Sequence, residues 1–153
     1  MSSSTKLNVD SSGVEVSPTL YRSIIGSLLY LTTSKPNIAF SIGVCARYQA
    51  APKESHLTAV KRIIRYINGT PDYGLWYSKD SNACPVGYSD ANWAGSVDHR
   101  KSTSGGCFYL GNNLVSWMSK NQNSVSFSTA EVEYIVAGSC CTQLLWMKKL
   151  LHD

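Results

Sequence analysis

Apolar residues in this chain change their period after Gly69, and that change divides the fold before any other property is considered. Up to Gly69 they recur every three or four positions, the spacing of an amphipathic helix. Tyr21, Ile24, Ile25, Leu28, Leu29 and Leu31 follow Pro18, with Ser17 placed as a cap. Ile38, Phe40, Ile42, Val44, Cys45 and Tyr48 follow the break at Ser34-Lys35-Pro36, and Ala51-Pro52 ends that run. Leu57, Val60, Ile63, Ile64 and Ile67 form the stripe of a third helix over about 53–67, stopped by Asn68-Gly69. Beyond Gly69 the segments are short and rich in aromatic and β-branched residues. Residues 73–77, 86–91, 103–110 and 114–119 read as strands, and Gly111-Asn112-Asn113 as a hairpin turn. Residues 125–128 read as a sheet extension or an approach loop. A last helix runs from Thr129 to about Leu151, capped by Ser128 or Thr129 with an acid three positions on.

The expectation is therefore an α+β chain. A mobile Ser-rich tail covers 1–17, a three-helix segment 18–82, and an antiparallel three-stranded sheet with one long helix 83–153. The boundary falls in the polar stretch 79–84. The 153 residues suit one ordinary domain or two small pieces, and 43% apolar with only 16% charged residues excludes a solvated disordered chain. A formal charge of +4 permits an acidic partner such as nucleic acid without requiring one. Five cysteines, an odd number without a C-x-x-C pair, read as reduced core thiols of an intracellular protein, cytoplasmic or nuclear. His56, His99 and His152 lack zinc-ligand spacing. The polar first 17 residues show no secretory signal. The uncharged run 134–147 is shorter than the roughly 20 residues a membrane span needs, so no membrane partner is expected.

Two motifs carry chemistry. In GYSDANWAG, Gly87 to Gly95, Asp90 stands near the end of a strand; in STAEVEY, Ser128 to Tyr134, Glu131 and Glu133 open the last helix. An acid leaving a strand and an acid at the start of the next helix can meet at one edge of a sheet, which is how a divalent-metal site begins. A strand-end aspartate before Ala-Asn is also a common turn former, and Glu131 also suits the positive end of the helix dipole. Lys61, Arg62 and Arg65 form a basic helix face, and Arg100-Lys101 precede a strand; both read as solvated charge or as phosphate contacts. Trp93, Trp117 and Trp146 read as core or sheet-face residues. Ser102 to Gly106, STSGG, lacks the lysine of a phosphate loop.

Six segments in unbroken order cover nearly the whole chain: LYRSIIGSLLYLTTSKPNIAFSI from Leu20, KESHLTAVKRIIRYINGTPDYGLWY from Lys53, GYSDANWAG from Gly87, DHRKSTSGGCFYLG from Asp98, VSWMSKNQNSVSFSTAEVEY from Val115 and LLWMKKLL from Leu144. Together they resemble the polyprotein of plant copia-type retrotransposons. The resemblance implies the end of a reverse transcriptase followed by the start of a ribonuclease H domain, hence a partial ribonuclease H-like fold. It implies Mg²⁺, bound by carboxylates, and hydrolysis of the RNA strand of an RNA–DNA hybrid. It maps Asp90 to the first-strand aspartate and Glu133, in preference to Glu131, to the helix glutamate. Asn92 stands where the family usually has a second aspartate. Two further family acids belong to later elements than Asp153, and Asp98 and Asp153 are poor substitutes by position. The expectation is a chain weak or inactive alone; the alternative is a non-catalytic remnant that binds nucleic acid or protein. An unpartnered edge on the Asp90 strand invites a homo-oligomer.

Overall fold

The computed structural model describes residues 6–79 and 82–151. It divides into two compact units, Met1–Gly74 and Leu75–Asp153. The division falls between the change in apolar period after Gly69 and the polar stretch 79–84 expected to hold it. Part of that stretch, residues 80 and 81, lies outside the described residues, as do 1–5 of the expected tail and His152 and Asp153.

The first unit contains α1 (Pro18–Leu31), a 3-10 turn (Pro36–Ile38), α2 (Ala39–Ala46) and α3 (Glu54–Asn68). Ser17 caps α1, its hydroxyl accepting from Leu20 N–H, and Pro18 fills the first turn, where a missing N–H costs nothing. Thr32, Thr33 and Ser34 donate their hydroxyls back to the carbonyls of Leu29, Tyr30 and Leu31, which the helix end would otherwise leave open. Tyr21, Ile25 and Leu28 of α1, Ile42 and Cys45 of α2, and Ala59, Val60 and Ile63 of α3 make one contiguous core with Ile38. The Tyr21 hydroxyl reaches across it to donate to the Cys45 carbonyl at 2.9 Å.

Residues 7–16 are not a free tail. Glu15 pairs with Lys53 in an antiparallel bridge, Val16 N–H donates to Pro52 O, and Glu54 N–H donates to Val14 O. The anchor is His56, fully buried and stacked on Tyr48 with ring centroids 4.2 Å apart. Its Nδ1 accepts from Lys53 N–H, so its Nε2 carries the proton and donates to Asn8 O at 2.7 Å. One histidine thus caps α3 and fastens the preceding strap, while the Tyr48 hydroxyl donates to Leu7 O.

The second unit is a meander of three antiparallel strands, β1 (Pro85–Asn92), β2 (Thr103–Leu110) and β3 (Asn113–Asn121), followed by α4 (Thr129–Leu150). Leu110 pairs with Asn113 across a two-residue turn, where Gly111 takes a φ of 59° that a side chain would resist. Phe108 and Tyr109 pair with Ser116 and Leu114, so Val115 is an extra residue that bulges and bends β3. The expected strand at 73–77 does not form: an aromatic run favours strands only where a partner ladder exists, and none is offered to it. It leads instead into Ser78, which Asn113 holds through both its amide groups.

The long helix α4 lies over β1. A Cβ on Gly87 would come within 2.9 Å of Cys140 Sγ and 3.0 Å of a Leu144 methyl, so only glycine lets the helix seat this closely. Phe108, Met118, Cys140, Leu144 and Met147 form the small core beneath it. The opposite face of the sheet, carrying Val86, Tyr88 and Tyr109, has no element over it among the described residues. The molecule is α+β, as the change of period indicates. Among the described residues no helix is long and apolar enough to cross a membrane.

Candidate functional site

Asp90 sits in β1 opposite Gly105 of β2, and its side chain is exposed. Strand residues alternate faces. Since Gly87 faces α4, Val86, Tyr88, Asp90 and Asn92 point to the open face of the sheet. Glu133 lies in the second turn of α4 and is also exposed.

The two acids share one end of the unit but not one face: Asp90 points to the open side of the sheet, and Glu133 rides on α4 over the other side. Trp93, just past β1, donates its indole N–H to the carbonyl of Ser126, just before α4, at 3.3 Å. The C-terminal end of β1 therefore meets the N-terminal end of α4, while Gly87 meets Cys140 further back. From that crossing Asp90 is three strand residues along, roughly 10 Å. Glu133 is seven helix residues toward the same end, also roughly 10 Å. Arg100 and Lys101, in the β1–β2 connection, belong to this end too, because Asn92 pairs with Thr103. Arg100 takes a φ of 52°, and its N–H donates to Ser96 O. The hollow on the open face, about 620 Å³ and lined by Cys84, Val86, Tyr88 and Tyr109, lies toward the other end of β1.

The glutamates differ in their engagements. Glu131 Oε2 accepts from Phe127 N–H at 2.8 Å, while Glu131 N–H donates to Ser128 Oγ at 3.1 Å. This reciprocal cap occupies Glu131 in holding the start of α4. Helical spacing groups Glu133 with Ala137, Cys140 and Leu144, but the helix is rotated away from that row: Val132, Val136, Cys140 and Met147 are buried, whereas Glu133 and Ala137 are exposed. Gln122 sets that rotation. Its buried amide Nε2 donates to Ser104 Oγ at 3.0 Å and to Val132 O at 3.4 Å, and its backbone N–H donates to Ser102 O. Polar Gln122 stands between the strand read over 114–119 and the stretch 125–128, so only the fold reveals it as the clamp between sheet and helix. Ser102, Thr103 and Ser104, of the glycine-rich run without phosphate-loop spacing, are buried beside it.

Lys61, Arg62 and Arg65 are exposed on α3, in the first unit. Charge is divided unevenly: residues 1–74 hold eight Lys and Arg against four Asp and Glu, and residues 75–153 hold six of each. The five cysteines are unbridged, and only Cys45 and Cys140 are buried; Cys84 and Cys141 are exposed rather than in a core. Cys141 follows Cys140 by one helix position, which turns it to the outside of α4. Trp93 and Trp146 are likewise substantially exposed. Among the described residues no three His, Cys, Asp or Glu side chains gather closely enough to hold a metal ion.

The chain is 38% identical over all 153 residues to the retrovirus-related Pol polyprotein from transposon RE2 of Arabidopsis thaliana, of which it spans 10%. It is 39% identical over 134 residues, 87% of its length, to the corresponding polyprotein from transposon TNT 1-94 of Nicotiana tabacum, again spanning 10% of that protein. A relative nearer its own size is the secreted RxLR effector protein 161 of Plasmopara viticola, 39% identical over 128 residues that make up 83% of this chain and 90% of that one. No family model and no solved structure matches. An α+β chain with relatives of this kind is a piece of retroelement polyprotein. It belongs to the copia-type retrotransposon Pol polyproteins.

Proposed function

We propose that this chain joins the end of a reverse transcriptase to the start of a ribonuclease H-like domain. Asp90 and Glu133 would be two of the carboxylates of a metal-dependent nuclease that cuts the RNA strand of RNA–DNA hybrids. The supporting observation is the common end of β1 and α4, defined by Trp93 on Ser126 and by Gly87 against Cys140. Mg²⁺ prefers oxygen ligands in a near-octahedral shell, and the described residues bring no group of three potential ligands together. Two carboxylates do not meet the ligand set of a two-metal nuclease, so hydrolysis is not assigned to the isolated chain. Alone it is weak or inactive.

Lys61, Arg62 and Arg65 are proposed as phosphate contacts. No ion pair is recorded for them among the described residues, and the first unit carries all of the net positive charge. Arg100 and Lys101 are proposed in the same role at the Asp90 end. The test is cleavage of a labelled RNA–DNA hybrid with Mg²⁺. The isolated chain is expected to release no product, and a polyprotein carrying this segment is expected to lose cleavage on Asp90→Asn. Robust cleavage by the isolated chain, abolished by Asp90→Asn, would refute the incomplete site; unimpaired cleavage by the substituted polyprotein would refute the role of Asp90.

A second reading is a non-catalytic binding module. It is favoured by the missing third ligand and by a relative of comparable length, the Plasmopara viticola protein. Hybrid binding by the isolated chain that ignores Mg²⁺ and weakens on Lys61→Ala with Arg65→Ala supports it, whereas no binding at low salt counts against it.

A further inference from the structure

We infer that α4 is a self-association surface on which two copies of the chain pair their helices antiparallel. The helix buries Val132, Val136, Cys140 and Met147 against the sheet. At 100° per residue, the ridge pointing the other way is Tyr134, Gly138, Cys141 and Leu145, a four–three–four spacing of the kind that lets two helices interlock. It is open: Tyr134 is 81% and Leu145 69% exposed, and a Cβ on Gly138 would touch nothing within 4 Å. No charge interrupts α4 between Glu133 and Lys148.

The occupant follows from the order of residues along the ridge, which is symmetric about its middle. An antiparallel copy sets Tyr134 across from the partner's Leu145 and Gly138 across from the partner's Cys141. Large meets large at the ends, and small meets small at the centre, where the backbones can approach. Charge gives the same answer. The acids of α4 lie only in its first turns, Glu131 and Glu133, and its bases only in its last, Lys148 and Lys149. Glu131 and Lys149 are eighteen positions apart, five whole turns, and so share one flank of the ridge. Antiparallel packing puts each Glu131 beside the partner's Lys149, and it opposes the two helix dipoles favourably. Parallel packing would set like charges together. This surface is distinct from the free edge of β1, the other route by which two copies could join.

A single helix pair covers less than the roughly 800 Å² per partner of a standard interface, so association is expected to be of roughly micromolar strength and concentration-dependent. Sedimentation of the whole chain, over a concentration series up to about 100 µM, should show mass rising toward two copies. Leu145→Glu alters an exposed side chain and should weaken association at least about tenfold with the circular dichroism spectrum unchanged. Lys149→Glu should weaken it about fivefold, and by more at low salt than at high salt, because it sets like charges side by side. A single-copy mass throughout the series overturns the inference. So does a dimer indifferent to Leu145→Glu, which would place the contact elsewhere, the β1 edge included.

Discussion

The two units differ in how completely they are covered. Residues 1–74 close on themselves: among the described residues three helices and the 3-10 turn share nine buried apolar residues, and the strap over residues 7–16 is fastened to His56. Residues 75–153 are covered on one side only. Their sheet carries α4 on one face and nothing on the other among the described residues, and Trp76, Phe127 and Tyr134 are more than 80% exposed. The candidate carboxylates sit in the half-covered unit. The helices of the first unit enclose their shared core; the second unit leaves acids, a bare sheet face and an apolar helix ridge open.

The contrast can be broken most forcefully in the core of the first unit. Ile42 is fully buried, and Ile42→Ala should cost about 3 kcal/mol, read as lost hydrogen-exchange protection across α1–α3. Leu145→Ala, on the outer ridge of α4, should cost under about 0.5 kcal/mol in the monomer. Equal losses would erase the distinction.

The seat of α4 is the next test. Gly87→Leu drives a side chain into Cys140 and Leu144 and should cost about 1–3 kcal/mol. The tryptophans report it well, because all four lie between residues 76 and 146. Their emission should shift to the red as α4 lifts. An unchanged spectrum and stability would show that the helix does not rest on β1 at that point.

Alkaline pH acts on the core of the first unit by about as much. Burial pushes the Cys45 thiol from 9.0 up to about 11. Burial, with Cys45 and Tyr48 nearby, pushes the Tyr21 phenol up as well. An unfolded thiol ionises near 9, while the native one keeps its proton until about 11. The stability tied to Cys45 is therefore fully present below about pH 9 and declines by roughly 2–3 kcal/mol as pH rises to 11. Thermal melts of the wild type should fall more steeply over that window than melts of Cys45→Ala. Parallel curves would contradict the assignment.

Much of this arrangement could be read directly from the chain. Ser17-Pro18 opens α1, Gly111-Asn112 turns the hairpin, and Ser128 with Glu131 caps α4, each through an interaction a few residues long. What could not be read depends on distant partners. The strap looked like a tail because its fastenings, Asn8 to His56 and Leu7 to Tyr48, are separated by more than forty positions. Residues 73–77 have strand-like composition without a ladder to join. The rotation of α4 was illegible for another reason: a helix apolar on every side has no single stripe to give its phase, so Gln122, holding Val132 O, decides which residues turn inward. Asp90 and Glu133 were found as residue types; that they share an end came from Trp93 and Gly87.

The sharing of that end is the central claim, and a paramagnetic titration tests it most directly. Mn²⁺, which accepts the same oxygen ligands as Mg²⁺, is added to the isotope-labelled chain and amide broadening is followed residue by residue. The amides around Asp90 and Glu133 are expected to broaden together, at about millimolar metal because two carboxylates hold a cation weakly, and Asp90→Asn is expected to relieve both. Broadening at one acid without the other, or at Glu133 undiminished by Asp90→Asn, would contradict it.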